Sequence, residues 1–514
     1  MYFLGIDTST TGSKAVLIDQ AGLVVAVTSS PHSLQTPRPL WSEQDPLEWW
    51  QAVCGATRQL LAESRMDPRS IACVTFSGQM MGCVAVDRQA RPLRRALIWA
   101  DTRAVEQAER AIQRVGMETA YRISGHRASA SYSAAKIAWL RDHEPETYRA
   151  AHKFLHAKDF AAARLSGQFA SDYSDASGTN LYDLEGQKWS WQMVDAFGLD
   201  PEQLPELHAS TDVIGEVSGA AAEETGLAKG TPVVIGGGDG PCAATGAGVV
   251  REGSAYNYIG SSSWIGIASR KPVFDPALRT FTFAHLVPGM FTPTGTMQAA
   301  GASYQWLRDT VCTTEKAAAG QGGESAYELM NAEAAQSPAG AHGLLYFPYL
   351  LGERSPRWNP DARGAYFGLS ASHTRADLVR ATLEGVSLNL AVILNAFRAQ
   401  GLAVEAMRVI GGGANGAIWR QILADIYGIP VLRPRLLSEA TSFGAALAGG
   451  VGVGLYPDFQ LAETLTPVLD TTRPNPDVQA LYAEMYAVFN RAYEAFEPLY
   501  PLFKQLAAFP GRAG

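Results

Sequence analysis

The sequence is short of charge, short of cysteine, and without a single Gly-Lys dipeptide. Asp, Glu, Lys and Arg make up only 18% of its 514 residues, and acids outnumber bases 50 to 42, a net charge of −8. That balance gives no electrostatic footprint for nucleic acid or for an anionic membrane surface. The five cysteines, at positions 54, 73, 83, 242 and 312, are odd in number and show no C-x-x-C spacing. They argue against a disulfide framework and read as reduced core thiols of a cytoplasmic protein. Because no lysine follows a glycine, there is no Walker phosphate loop. No basic-then-apolar leader is expected, and the longest uncharged glycine-rich run, "FGAALAGGVGVGLYP", is too short to span a bilayer.

What is present is apolar residue, 47% of the chain, in a length beyond what one hydrophobic core usually supports. Two domains are therefore expected. "MYFLGIDTSTTGSKAVLID" reads as two strands joined by a loop of hydroxyls and glycine, and "SAYNYIGSSSWIGIASR" (254–270) repeats that shape. Each half also holds an apolar strand that ends in three glycines and runs into a helix, "VVIGGGDGPCAATG" and "RVIGGGANGAIWRQILADIYG". Hairpin loop, long insert and triple-glycine loop thus occur twice, which predicts two related α/β lobes, 1–246 and 247–514. Periodicity makes 100–165 and 375–400 helix-rich. The small, polar stretch 313–342 reads as a surface segment.

Three motifs bear on chemistry. "DTSTTGSK" (7–14) sets an acid, five hydroxyls, a glycine and a lysine within eight residues. Such a turn suits phosphate oxygens, with Asp7 able to hold Mg²⁺, although the same run also makes an ordinary polar hairpin. "GGGANG" (411–416) follows a strand, precedes a helix and fits G-x-G-x-x-G. It admits a dinucleotide site, with Arg433 and Arg435 suited to NADP, but no acid follows at the ribose position. Third, Asp239 is a lone carboxylate on a glycine loop at a strand end, with no packing role. His152 and His156 in "HKFLH" stand four apart but lack the glutamate of a zinc-protease helix, so they read as structural. The tryptophans of "LWSEQDPLEWW" (40–50) suit either core or stacking on a sugar face.

"SYSAAKIAWLRDH" (131–143) and "GAYFGLSASHTRADLVRATLE" (364–384) fit two signatures in full, and "LWSEQDP", "SGQM", "FASDYSDASGT" and "GERSP" ahead of "ARG" agree in detail. On these blocks the chain resembles the FGGY family of carbohydrate kinases, most closely its xylulokinases, from about residue 1 to 455. The resemblance implies two actin-like (ribonuclease H-like) ATPase lobes with the active site in the cleft between them. It also implies ATP-dependent transfer of the γ-phosphoryl group to a hydroxyl of a small ketose or polyol, with Mg²⁺. By the family pattern Asp239 is the catalytic base and Asp7 the magnesium ligand. Thr10, Thr11 and Lys14 meet the phosphates from one lobe, and Gly260 and Ser261 from the other. Gly301, Gln305, Gly411 and Asn415 contact the nucleotide, which turns the G-x-G-x-x-G run into an adenosine site. Gln79, Met80, Met81, Asp239 and Gly240 face the sugar. Two positions depart from the xylulokinase pattern: Met81 replaces a substrate-contacting histidine, and Gly240 replaces the asparagine that follows the base. They leave the kinase reading intact and open the choice of sugar to another pentose, a tetritol or a similar polyol. Expected partners are the sugar or polyol and ATP, with a homodimer allowed and neither nucleic acid nor membrane. An actin- or Hsp70-like ATPase without a sugar substrate is the rival from another class, disfavoured by the sugar-site segment 78–82 and by Asp239.

Overall fold

The two apolar runs at the start of the chain form β1 (Tyr2–Thr8) and β2 (Gly12–Asp19), paired antiparallel with Asp7 directly opposite Lys14. The computed structural model describes residues 1–319 and 324–507, so 320–323, inside the polar segment 313–342, lie outside the described residues. The chain separates into two units. One comprises Met1–Glu252, Ala268–Pro293 and Glu439–Pro467; the other comprises Gly253–Ile267, Thr294–Ser438 and the chain from 468 onward.

In the first unit β3 (Val24–Pro31), β4 (Ile71–Gly78), β5 (Val213–Glu216) and β6 (Pro232–Gly238) complete a sheet of order β5-β6-β4-β1-β2-β3. β6, β4 and β1 run parallel, so Thr8, Gly78 and Gly238 end side by side at one edge. One face is covered by α1 (Pro46–Ser64) and α2 (Ala157–Ser166). Asp45 caps α1 by accepting from the Leu47 amide, and Pro46 fills the first helical position, where its missing N–H costs nothing. Trp49 and Trp50 are 1% and 3% exposed, which settles these two tryptophans as core.

On the other side α3 (Asp239–Gly246) crosses the helix Ala440–Gly452. A Cβ at Gly246 would stand 1.8 Å from the Ala440 carbonyl oxygen, and one at Gly444 2.0 Å from that of Cys242. Glycine is needed here because the two backbones touch. The glycine-rich run 443–457 is therefore mostly a buried packing helix, and among the described residues no helix is long and apolar enough to cross a membrane.

The second unit repeats the strand order. β7 (Ala255–Ile259), β8 (Ser263–Ile267), β9 (Phe291–Met297), β10 (Met407–Ile410), β11 (Val431–Pro434) and β12 (Val468–Thr472) run β9-β8-β7-β10-β11-β12. Again a three-stranded meander is followed by two parallel strands and an antiparallel edge. α4 (Gly301–Thr310), α5 (Arg375–Ala399) and α6 (Ala417–Tyr427) pack on it. α5 is opened by a capping box between Thr374 and Asp377. All five cysteines are buried and free of disulfides.

Candidate active site

In the first unit the polar groups collect where parallel strands end, the general location of ligand sites in open α/β sheets. Asp7 is one residue from the end of β1, while Gln79 and Asp239 are the first residues past β4 and β6. The Ser77 hydroxyl donates to Asp7 Oδ1 at 2.8 Å. Burial outweighs that bond and the Lys14 charge, so the Asp7 carboxyl titrates above its usual range. Asp239 goes further, to about 8. Burial is the main cause, the Asp7 charge comes next, and the 2.7 Å bond from the Gly240 amide opposes both. Two carboxylates that each raise the free energy of the other's charge make an oxygen-donor set suited to a hard divalent cation.

The loops around them are held by named contacts. Trp99 Nε1 donates to Thr10 Oγ1 at 2.9 Å, and Gln44 Nε2 donates to the Thr10 carbonyl at 2.7 Å. Gln79 Nε2 donates to Gln44 Oε1 at 2.8 Å, which fixes the orientation of the buried Gln79 amide. Thr11 is exposed, and Thr10 and Lys14 are half-buried. Met80 is buried and packs on the glycine end of β6: a Cβ at Gly238 would lie 2.6 Å from its sulfur. Met81 has a left-handed backbone, φ 62°, and its carbonyl accepts from the buried Lys136 ammonium at 2.8 Å. A Cβ at Gly240 would meet nothing within 4 Å.

The second unit holds a cavity of about 640 Å³ at the matching strand ends, where β7 and β10 run parallel. Gly260, Ser261, Gly301, Gln305 and Asn415 line it. The N-terminus of α4 is stitched to the β7–β8 loop, with the Gly301 amide donating to the Gly260 carbonyl and the Ala300 amide to that of Ser261, both at 2.9 Å. Gly411 does not line the cavity. With φ +84° and a Cβ position 2.6 Å from the Ile259 carbonyl oxygen, it turns the chain so that Gly412 and Gly413 form the wall. Tyr304 and Tyr327 stack at 5.7 Å between ring centres, and the Tyr304 hydroxyl donates to Asn331 Oδ1 at 2.9 Å.

Gly301→Ala is expected to raise the KM for ATP roughly tenfold, about 1.4 kcal/mol of binding. The added Cβ would stand 2.4 Å from the Gly260 carbonyl oxygen and pry the stitched loop open. Steady-state kinetics at fixed sugar checks this; an unchanged KM for ATP refutes it.

Several residues at these sites were not singled out by sequence. Tyr327 and Asn331 come from the segment read as plain surface, where a helix, Ala326–Ala334, forms behind a capping box of Ser325 and Glu328. That S-x-x-E spacing was the available signal. The histidines separate: His152 meets Phe169 edge-on, while His156 turns inward, its Nδ1 2.5 Å from Asp175 and its Nε2 2.6 Å from the Ser133 hydroxyl. Burial works against the imidazolium, but Asp175 and Asp159 outweigh it and hold the His156 pKa above its usual value. His156, Asp159 and Asp175 are spaced to hold a metal ion, but Lys158 fills that role, its ammonium lying 2.6 Å from Asp159, 3.0 Å from Asp172 and 3.6 Å from Asp175.

Two α/β units with one strand order, each carrying polar loops at the ends of its parallel strands, define a protein of two actin-like ATPase lobes. The chain belongs to the FGGY family of carbohydrate kinases, whose N-terminal domain matches residues 2–246 and whose C-terminal domain matches residues 255–453. It is similar to the xylulose kinase of Staphylococcus epidermidis, 33% identical over 96% of this chain and 97% of that one. The gluconokinase of Bacillus subtilis is 30% identical over 96% and 97%. The crystal structure of xylulose kinase from Rhodospirillum rubrum superposes with a TM-score of 0.87 at 30% identity, covering 97% of this chain and 100% of that one. The protein is an enzyme, an ATP-dependent sugar kinase with a sugar and ATP as its substrates. Family membership removes the nicotinamide reading of the 411–416 loop and the rival of an ATPase without a sugar substrate.

Proposed function

We propose that this kinase phosphorylates a hydroxyl of a small ketose or polyol, with Asp239 as general base. The observation that carries the reading is a carboxyl at the end of a parallel strand whose burial and like-charged neighbour raise its proton affinity. A sugar hydroxyl is a poor nucleophile until a positioned carboxylate accepts its proton. The glycines ahead of Asp239 let substrate approach the backbone without a Cβ in the way. Gln79, Met80, Met81 and Gly240 are proposed to face the sugar, Asp7 to hold Mg²⁺, and Thr10, Thr11 and Lys14 to meet phosphate oxygens. In the second lobe Gly260 and Ser261 take phosphate, and Gly301, Gln305 and Asn415 take the nucleoside, with Gly411 shaping their loop. When bound, ATP supplies the phosphoryl group and Mg²⁺ neutralises its charge, the main requirement of phosphoryl transfer. The first lobe, chiefly 1–246, then carries sugar and base, and the second, chiefly 247–514, the nucleotide. ADP release measured over a panel of pentoses, hexonates and polyols tests the reading. A panel in which no compound stimulates turnover overturns it.

Similarity to xylulose kinases makes D-xylulose the first candidate, and Met81 with Gly240 favours another sugar. A histidine and an asparagine would each offer a hydrogen bond to a substrate hydroxyl, whereas methionine offers apolar surface and glycine offers space. A hydroxyl buried without a partner costs about 1–3 kcal/mol. D-xylulose is therefore expected to be a poor substrate beside a compound of different hydroxyl pattern. The double variant Met81→His, Gly240→Asn should raise kcat/KM for D-xylulose, and a Cβ at position 240 meets no neighbour within 4 Å. If D-xylulose already leads the parent's panel, the two departures are neutral.

A further inference from the structure

The segment "FASDYSDASGT" has no part in the chemistry above, yet it reaches the junction of β6 and α3 where Asp239 opens the helix. Ser174 and Asp172 are fully buried, and the Ser174 hydroxyl donates to Asp172 Oδ2 at 2.5 Å. The same hydroxyl oxygen accepts the backbone N–H of Gly238 at 3.0 Å. Gly238 is the residue immediately before Asp239. Asp172 is itself immobilised, by the Lys158 ammonium at 3.0 Å, the Ser174 amide at 2.8 Å and the Ser210 hydroxyl at 2.7 Å.

That junction has little room to move away. A Cβ at Gly237 would stand 2.7 Å from Ser174 Oγ, and Met80 closes on Gly238 from its own side. The backbone of Lys158 in turn presses on Gly78, where a Cβ would lie 3.0 Å from the Lys158 nitrogen. One buried cluster thus braces the ends of both β4 and β6. A hydroxyl polarised by donating to a carboxylate is also a better acceptor for the Gly238 amide.

We infer that Ser174, backed by Asp172 and Lys158, is a positioning residue that fixes the Gly238–Asp239 backbone so that the base meets the sugar hydroxyl in line. This rests on the reading of Asp239 as the base. Ser174 is fully buried and acts only through that junction.

Ser210 provides the comparison, because its hydroxyl makes a similar bond to the same buried carboxylate but does not touch Gly238. Ser174→Ala is expected to lower kcat roughly 10-fold to 100-fold, the scale of a misplaced catalytic group, with the KM for ATP and the affinity for sugar near the parent's. Ser210→Ala is expected to turn over close to the parent, although both variants melt earlier. Ser174→Cys, which keeps a weak acceptor, falls between and serves in place of the alanine variant should that one not fold. In an Asp239→Asn background Ser174→Ala should add little further loss, since both act on one step. Equal kcat in the Ser174 and Ser210 variants, or losses that multiply in the double variant, overturn the inference while leaving the base in place. Near-parent turnover of Asp239→Asn alone overturns the base itself, and the inference with it.

Discussion

Asp239→Asn is expected to lower kcat by at least ~10²-fold while sugar binding largely survives, the scale of losing a general base. The asparagine keeps the shape and the hydrogen-bonding capacity of the side chain but cannot accept the hydroxyl proton. Residual turnover is expected, because the groups proposed to orient the substrates and neutralise charge, Asp7, Lys14 and the second lobe's loops, are left in place. The pH profile carries the same signature. Burial and the Asp7 charge raise the Asp239 pKa to about 8, and the base works only when ionised. For the parent, kcat/KM should therefore climb through an acid limb displaced upward from the ordinary carboxylate range. Added Mg²⁺ should move that limb to lower pH by cancelling the like charge at Asp7. The variant should lose the limb. Steady-state kinetics from pH 5 to 9, with calorimetric titration of the sugar, reads all three effects, and near-normal turnover in the variant removes Asp239 from the role.

The largest loss of stability is expected at Lys158. Its side chain is fully buried and its ammonium is the cation that three buried carboxylates share, those of Asp159, Asp172 and Asp175. Burial alone would lower its pKa, but those three charges raise it instead, so it stays protonated across the working range. Lys158→Met fills similar volume and leaves the three acids with only the His156 imidazolium, beside Asp175, as a neighbouring cation. Breaking a buried ion cluster from one side costs about 3–5 kcal/mol, against about 0–1 kcal/mol for a surface pair. Unfolding in urea should show a lower midpoint for the variant with the slope preserved. A midpoint within error of the parent's would mean that water or protonation relieves the cluster, and that the lysine contributes no net stability.

Much of the fold was legible because its signals are local. Apolar runs and loop glycines locate β1, β2, β7 and β8, and strand-to-glycine junctions locate Asp239 and the 411–416 loop. The boundary of the units was less legible. Residues 268–293 and 439–467 follow the second hairpin in sequence but pack with the first unit, since buried area takes no account of chain order. The glycine-rich run near 450 carried no sign that its glycines serve a helix crossing, because a crossing partner is not written beside it.

By itself the sequence determined which short stretches can approach phosphate or carry a lone acid, because backbone freedom and side-chain chemistry are properties of a few adjacent residues. Only the tertiary structure decided what those stretches rest on. Ser174 bonds Gly238 from 64 positions away, and Gln44 bonds Gln79 from 35. Lysine is ordinarily a surface residue, so nothing in "HAKDF" signals that Lys158 is sealed among three acids. Such partners are selected by the packing of strand ends against a distant turn, and the free energy that selects them, desolvation set against charge pairing, exists only once the chain has closed around them.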